Sequence, residues 1–167
     1  MKYLMDLNDL MIEQLRELYH GEIHLQELLK EFSKTANDQS LKKVFEDYSI
    51  QTRDQILVLK QVFNTIFEQK RGEKNMGIVT MTNEAKTLVR RGTGEEIKDA
   101  LMILSLQRII HYKIASYGAI CTYGKILGFW DEIDSLHQDL ESEKKMDRKL
   151  ANLAEGIIDV KVPAHKV

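Results

Sequence analysis

Apolar residues recur at alternating spacings of three and four along most of the chain. One stripe runs Met11, Leu15, Leu18, Glu22, Leu25, Leu29, Phe32 without a slip. A second runs Leu41, Phe45, Tyr48, Thr52, Ile56, Leu59, Phe63, Ile66. A third can be drawn through Ile97, Ala100, Leu104, Gln107, His111, Ile114, Gly118, Cys121, and a fourth through Phe129, Ile133, Leu136, Leu140, Glu143, Asp147, Leu150, Ala154, Ile157. Each is the seam of a helix buried along one face. The pattern predicts long helices over 7–34, 38–70, 94–127 and 129–158, and a short one from Thr82 to Arg91. Breaks fall at Lys34–Ser40, Lys70–Gly77, Arg91–Gly94 and Gly128. Asn37 or Asp38 is placed to cap the second helix, and Thr93 with Glu96 reads as a capping box for the next long one. Residues 1–159 form a single bundle on this reading. Residues 160–167, which carry the only proline, Pro163, are expected to form a flexible tail.

Short links join the first two long helices and the last two, so each pair is an antiparallel hairpin. The middle link of about twenty residues is long enough to cross one end of a bundle. Hairpin, crossover, hairpin is ferritin-like connectivity. The expected fold is therefore all-α, a ferritin-like four-helix bundle whose long crossover carries a short fifth helix. Composition agrees: charged residues are 30% and hydrophobic ones 43% of 167 residues, which suits helices with solvated outer faces.

Charge and cysteine content narrow the chemistry. Lys and Arg number 24 against 26 Asp and Glu, a formal net charge of −2, which argues against nucleic-acid binding by bulk charge. Cys121 is the only cysteine, so an intrachain disulfide and a cysteine-based zinc site are both excluded. No apolar stretch approaches the roughly 20 residues of a membrane span. The first residues lack the long apolar run of a leader. The expectation is a soluble, cytoplasmic protein.

The informative positions are the polar exceptions within the stripes. Glu22, His111, Glu143 and Asp147 each lie near the middle of a helix, and in an antiparallel bundle the middles meet. A lone buried carboxylate costs several kcal/mol, on the order of the polar burial penalty, unless it is paired or bound to a cation. The four are thus a candidate metal layer, or a layer neutralised by protein cations. The bland reading is that the acids reach sideways to water and the histidine is hydrogen-bonded core. A di-iron bundle needs Glu from two helices and Glu-x-x-His from the other two. The second stripe holds no acid. The motif Glu17-Leu18-Tyr19-His20 falls off the seam, as does Asp134-Ser135-Leu136-His137. His20 and His24, one turn apart, form a surface pair able to bind a stray divalent ion. Gly21 and Gly118 inside helices suggest close helix approach. Tyr19, Tyr112 and Tyr117 are able to hydrogen-bond core acids, Cys121 reads as an inert buried thiol, and Trp130 as an end plug.

The stretch His111-Tyr112-Lys113-Ile114-Ala115-Ser116-Tyr117-Gly118, the run Leu140-Glu141-Ser142-Glu143-Lys144-Lys145-Met146-Asp147 with Lys149-Leu150, and Tyr19-His20-Gly21-Glu22 resemble the YciE/YciF-like ferritin-like proteins of bacteria. The resemblance covers roughly residues 5–158. It implies a ferritin-like bundle, a homodimer and an association with bacterial stress responses. It also implies a damaged metal site. Glu22 matches the family's first-helix glutamate, and Glu143 and Asp147 persist. The second-helix Glu-x-x-His falls on Ile50 and Arg53, and the third-helix Glu-His-Tyr-Glu reads Ile110-His111-Tyr112-Lys113. Two ligand positions thus carry cations, and Arg53, Lys113 or both are expected to replace metal beside the acids.

The expected function is that of a stress-associated, non-enzymatic protein with a degenerate di-iron site and no cofactor. One alternative is a protein holding one iron or manganese at Glu22, His111, Glu143 and Asp147 and acting on peroxide or oxygen. Another is a helical interaction module.

Overall fold

The computed structural model describes residues 3–70 and 76–161, with side chains described through Gly156. Five helices follow in order: α1 (Leu7–Thr35), α2 (Gln39–Thr65), α3 (Met76–Arg91), α4 (Glu95–Leu127) and α5 (Trp130–Lys161). No strand occurs among the described residues. The tail expected from residue 160 is still helical at Lys161, and from 162 it lies outside the described residues, as do 71–75 of the crossover.

The helix ends follow local chemistry. Asp6 caps α1 by accepting from the Asp9 backbone N–H, and Asp38 caps α2 by accepting from Ser40 and Leu41. The α1–α2 turn has a second anchor. Buried Asp99 of α4 accepts from the backbone N–H groups of Asn37 and Asp38 at 2.9 and 2.8 Å. α2 stops at Thr65, short of the expected residue 70. There Phe67 turns left-handed (φ 56°), while Phe67 N–H donates to Asn64 and Glu68 N–H to Phe63. That pair of bonds closes the helix as a Schellman motif, with phenylalanine in the position glycine usually takes. α3 begins at Met76, six residues before the expected Thr82. The Thr93–Glu96 capping box does not form. Gly94, at φ 94°, is the N-cap of α4 and leaves Thr93 one residue outside it.

α4 packs along α5 and α1 along α2, with α3 laid across α1 and α4. The core divides into two apolar clusters. One gathers Leu25, Leu29, Phe32, Phe45, Leu106 and Leu150 among others; the second gathers Met11, Leu15, Phe63, Tyr117, Ile133 and Leu136. The stripes expected for α1 and α2 are buried, apart from Ile66, which is half-buried and packs against the second cluster.

The α4 stripe is buried only at Cys121 and half-buried at Ala100, Gln107, Ile114 and Gly118. Ile97, Leu104 and His111 are exposed, and the buried register runs Met102, Leu106, Ile109, Lys113, Tyr117, Ile120, Gly124. α4 carries apolar residues on every face, so more than one seam with three–four spacing fits its sequence. Packing selects the one whose polar exception is Lys113. Two smaller expectations also change. Trp130 projects into solvent, and nothing lies within 4 Å of where a Gly118 side chain would begin, so Gly118 serves no close approach. Gly124 does, because a Cβ there would collide with Ile133 of α5.

Candidate functional site: a buried lysine between two glutamates

Between the two apolar clusters lies a polar layer made by the four long helices. Glu22 from α1, Lys113 from α4 and Glu143 from α5 are each fully buried. The Lys113 ammonium lies 3.0 Å from Glu22 Oε2 and 2.9 Å from Glu143 Oε1. α2 supplies neutral donors. Tyr48 OH donates to Glu143 Oε2 at 2.6 Å, and the amides of Gln51 and Gln55 donate to Glu143 Oε1 at 2.9 and 2.7 Å. Tyr117 OH donates to Glu22 Oε1 at 3.0 Å. Lys113 Nζ also donates to Tyr48 OH and to Gln55 Oε1, both at 3.2 Å. Ammonium, phenol and carboxylate thus form a closed ring of charge-assisted contacts.

One ammonium faces two carboxylates, and the electrostatics reflect that. Burial, with Glu143 adding repulsion, holds the Glu22 carboxyl up at about 7 despite the pull of Lys113. Burial works against the Lys113 charge, yet Glu143 and Glu22 together outweigh it and raise its pKa. Burial and the neighbouring carboxylates push both tyrosines well above their ordinary value. Lys113 is therefore a charged ammonium at neutral pH and not a nucleophilic amine. Asp139, one turn before Glu143, is held up at about 7, first by burial and then by Glu143 and Asp54. Its Oδ2 is buried without a hydrogen bond, and so is Thr52 Oγ1.

The residues singled out from sequence separate into three groups. Glu22, Glu143 and Lys113 meet. His111 and Asp147 form their own pair at 3.1 Å near the surface, with Gln107 3.5 Å from the other Asp147 oxygen. His111 is 67% exposed, so the four candidate metal residues do not converge. Arg53 takes no part: it is 62% exposed and lies beside Asp54 at 3.6 Å, leaving Lys113 as the cation that reaches the acids. Gln51, Gln55 and Asp139 were not singled out. The glutamines stand one turn apart on the buried side of α2 beside Tyr48, a spacing visible in the sequence.

The donor set does not suit a di-iron centre. Both Glu143 oxygens and Glu22 Oε1 accept from protein donors, and Glu22 Oε2 faces the ammonium. A metal there would have to displace a buried cation held by four groups. Among the described residues, no three His, Cys, Asp or Glu side chains gather so as to hold a metal ion. No described helix is long and apolar enough to cross a membrane.

Comparison with known proteins agrees with the architecture. Protein YciF of Escherichia coli K12 is 30% identical over 151 residues, covering 89% of this chain and 90% of that protein. The crystal structure of the E. coli stress protein YciF superposes with a TM-score of 0.90 at 28% identity, over 95% of this chain and 100% of the other. YcfI of Rhodopseudomonas palustris superposes with a TM-score of 0.87 at 25% identity, over 90% and 96%. Residues 6–162 match the model of the family described as Domain of unknown function (DUF892), and the chain belongs to that YciF-like family.

Proposed function

We propose that this chain is a stress-associated ferritin-like protein that works without a metal centre and without catalysis, as a cytoplasmic homodimer. The observation that carries the reading is the Lys113 ammonium seated 3.0 and 2.9 Å from Glu22 and Glu143. Two metal ions would balance bridging carboxylates in a di-iron bundle, and here one protein cation takes that part. The ammonium offers no open coordination position, changes no oxidation state and pairs both acids without a metal. The likeness to the E. coli stress protein YciF supports the physiological setting.

Metal analysis tests the proposal. The untagged protein is loaded anaerobically with Fe(II) or Mn(II), gel-filtered and assayed. We expect less than about 0.2 metal per chain, since an internal cation already satisfies the acids, and no visible absorbance on admitting air. About one metal per chain, lost in Glu143→Gln, would overturn it. Sedimentation equilibrium giving the mass of a single chain would remove the homodimer from the proposal.

A further inference from the structure

His20 and His24 lie on α1 away from the polar layer, both half-buried at the helix surface. Their ring centroids are 4.6 Å apart, with the planes tilted by 51°. Residues four apart on a helix stand above one another on the same face, so two imidazoles at this spacing can offer nitrogen lone pairs to one ion. The same face carries Glu13 and Glu17 before the pair and Glu27 after it, so an approaching cation meets a row of acids.

We infer that His20 and His24 form a two-histidine chelate for a borderline transition ion of the Cu²⁺, Ni²⁺ or Zn²⁺ class, independent of the buried layer. Imidazole nitrogen selects these ions over Mg²⁺ and Ca²⁺, which take oxygen. No third His, Cys, Asp or Glu closes the site among the described residues.

The test is titration of the untagged full chain with NiCl2, ZnCl2 and MgCl2, followed by calorimetry and by loss of histidine ring NMR signals on Ni²⁺ addition. We expect one equivalent of Ni²⁺, weaker Zn²⁺ binding and none of Mg²⁺. The His20 and His24 rings should broaden first. His20→Ala or His24→Gln should weaken Ni²⁺ binding at least about tenfold, because half the protein ligands are gone. His111→Ala and His137→Ala should leave it unchanged. Broadening that begins at His111, or affinity retained in the His20→Ala/His24→Gln double variant, would overturn the inference. So would the absence of Ni²⁺ binding in a protein with unchanged circular dichroism. The two readings fail separately: Fe(II) or Mn(II) that leaves with Glu143→Gln counts against the metal-free layer, and Ni²⁺ affinity retained in the histidine double variant counts against the histidine pair.

Discussion

At the residue scale, Lys113 should stabilise the fold through what it neutralises. Truncating one partner of a buried ion pair leaves the others uncompensated, which typically costs about 3–5 kcal/mol. We expect Lys113→Met to lose that amount in urea unfolding at pH 7.5, and to lose less at pH 5.5, where the glutamates can take up a proton instead. Replacing the whole set (Lys113→Met with Glu22→Gln and Glu143→Gln) should recover most of the loss, because amides carry no charge to neutralise. A single Lys113→Met change within about 1 kcal/mol of wild type would show that the layer is hydrated or neutral. Asp139 gives the pH dependence. Its carboxyl moves from 3.8 to about 7 on folding. The folded state therefore binds the extra proton between those values, and stability from this group is present below 3.8 and lost as pH rises through about 7. Glu22 acts in the same direction, from 4.5 to about 7. We expect Asp139→Asn to stabilise the protein at pH 8 by on the order of 1 kcal/mol, its partial exposure limiting the gain. The difference from wild type should close towards pH 4. Paired urea midpoints across that range check it, and a gain independent of pH would assign the effect to packing.

At the element scale, two glycines of α4 separate close approach from helix propensity. A methyl at Gly124 would strike Ile133 across the α4–α5 hairpin. Gly124→Ala should cost about 1–3 kcal/mol as overpacking, and Ile133→Val alongside it should restore part of that. Gly118 has open space, so Gly118→Ala should stabilise by about 0.5–1 kcal/mol. Thermal melts of the three variants decide both, and equal signs for the two glycines would refute the distinction. The same contrast shows what the sequence could tell. The stripes of α1 and α2 were legible because each has one apolar face, and Glu22 and Glu143 stood out as charges within such seams. α4 was not legible, since apolar residues surround it and His111 sits in a seam as regular as that of Lys113. Only packing against α1 and α5 selects between them. Lys113 itself was visible as a cation where the family pattern carries a ligand. Gln51 and Gln55, which donate to Glu143, were not, because a glutamine one turn from another reads as a solvated face unless the neighbouring helix is known to bring a carboxylate. Asp99 escaped for a similar reason: its partners are backbone N–H groups of a turn more than sixty residues away.

At the scale of the whole molecule, the polar layer divides the core but the helices do not stop there. α1, α2, α4 and α5 each contribute buried side chains to both apolar clusters. Unfolding one cluster would therefore break four helices at their midpoints, where Glu22, Tyr48, Lys113 and Glu143 are joined. Helices of 27 to 33 residues crossing such a layer should open as one unit. α3 differs: it buries only Ile78, Thr82 and Ala85, and it packs against the first cluster alone. We expect native-state hydrogen exchange to report one shared opening free energy for core amides of α1 at Leu15 and Leu29, on opposite sides of the layer. The amides of α3 should open at a lower one, with few buried contacts to hold them. In Lys113→Met the two sides should part, because the charged joint no longer ties the midpoints together. Different opening free energies at Leu15 and Leu29 in the wild-type protein would mean the layer is a boundary between two folding units. Equal values that stay equal in Lys113→Met would mean helix continuity alone couples the halves, leaving the buried ion pairs to neutralise the acids and do no more.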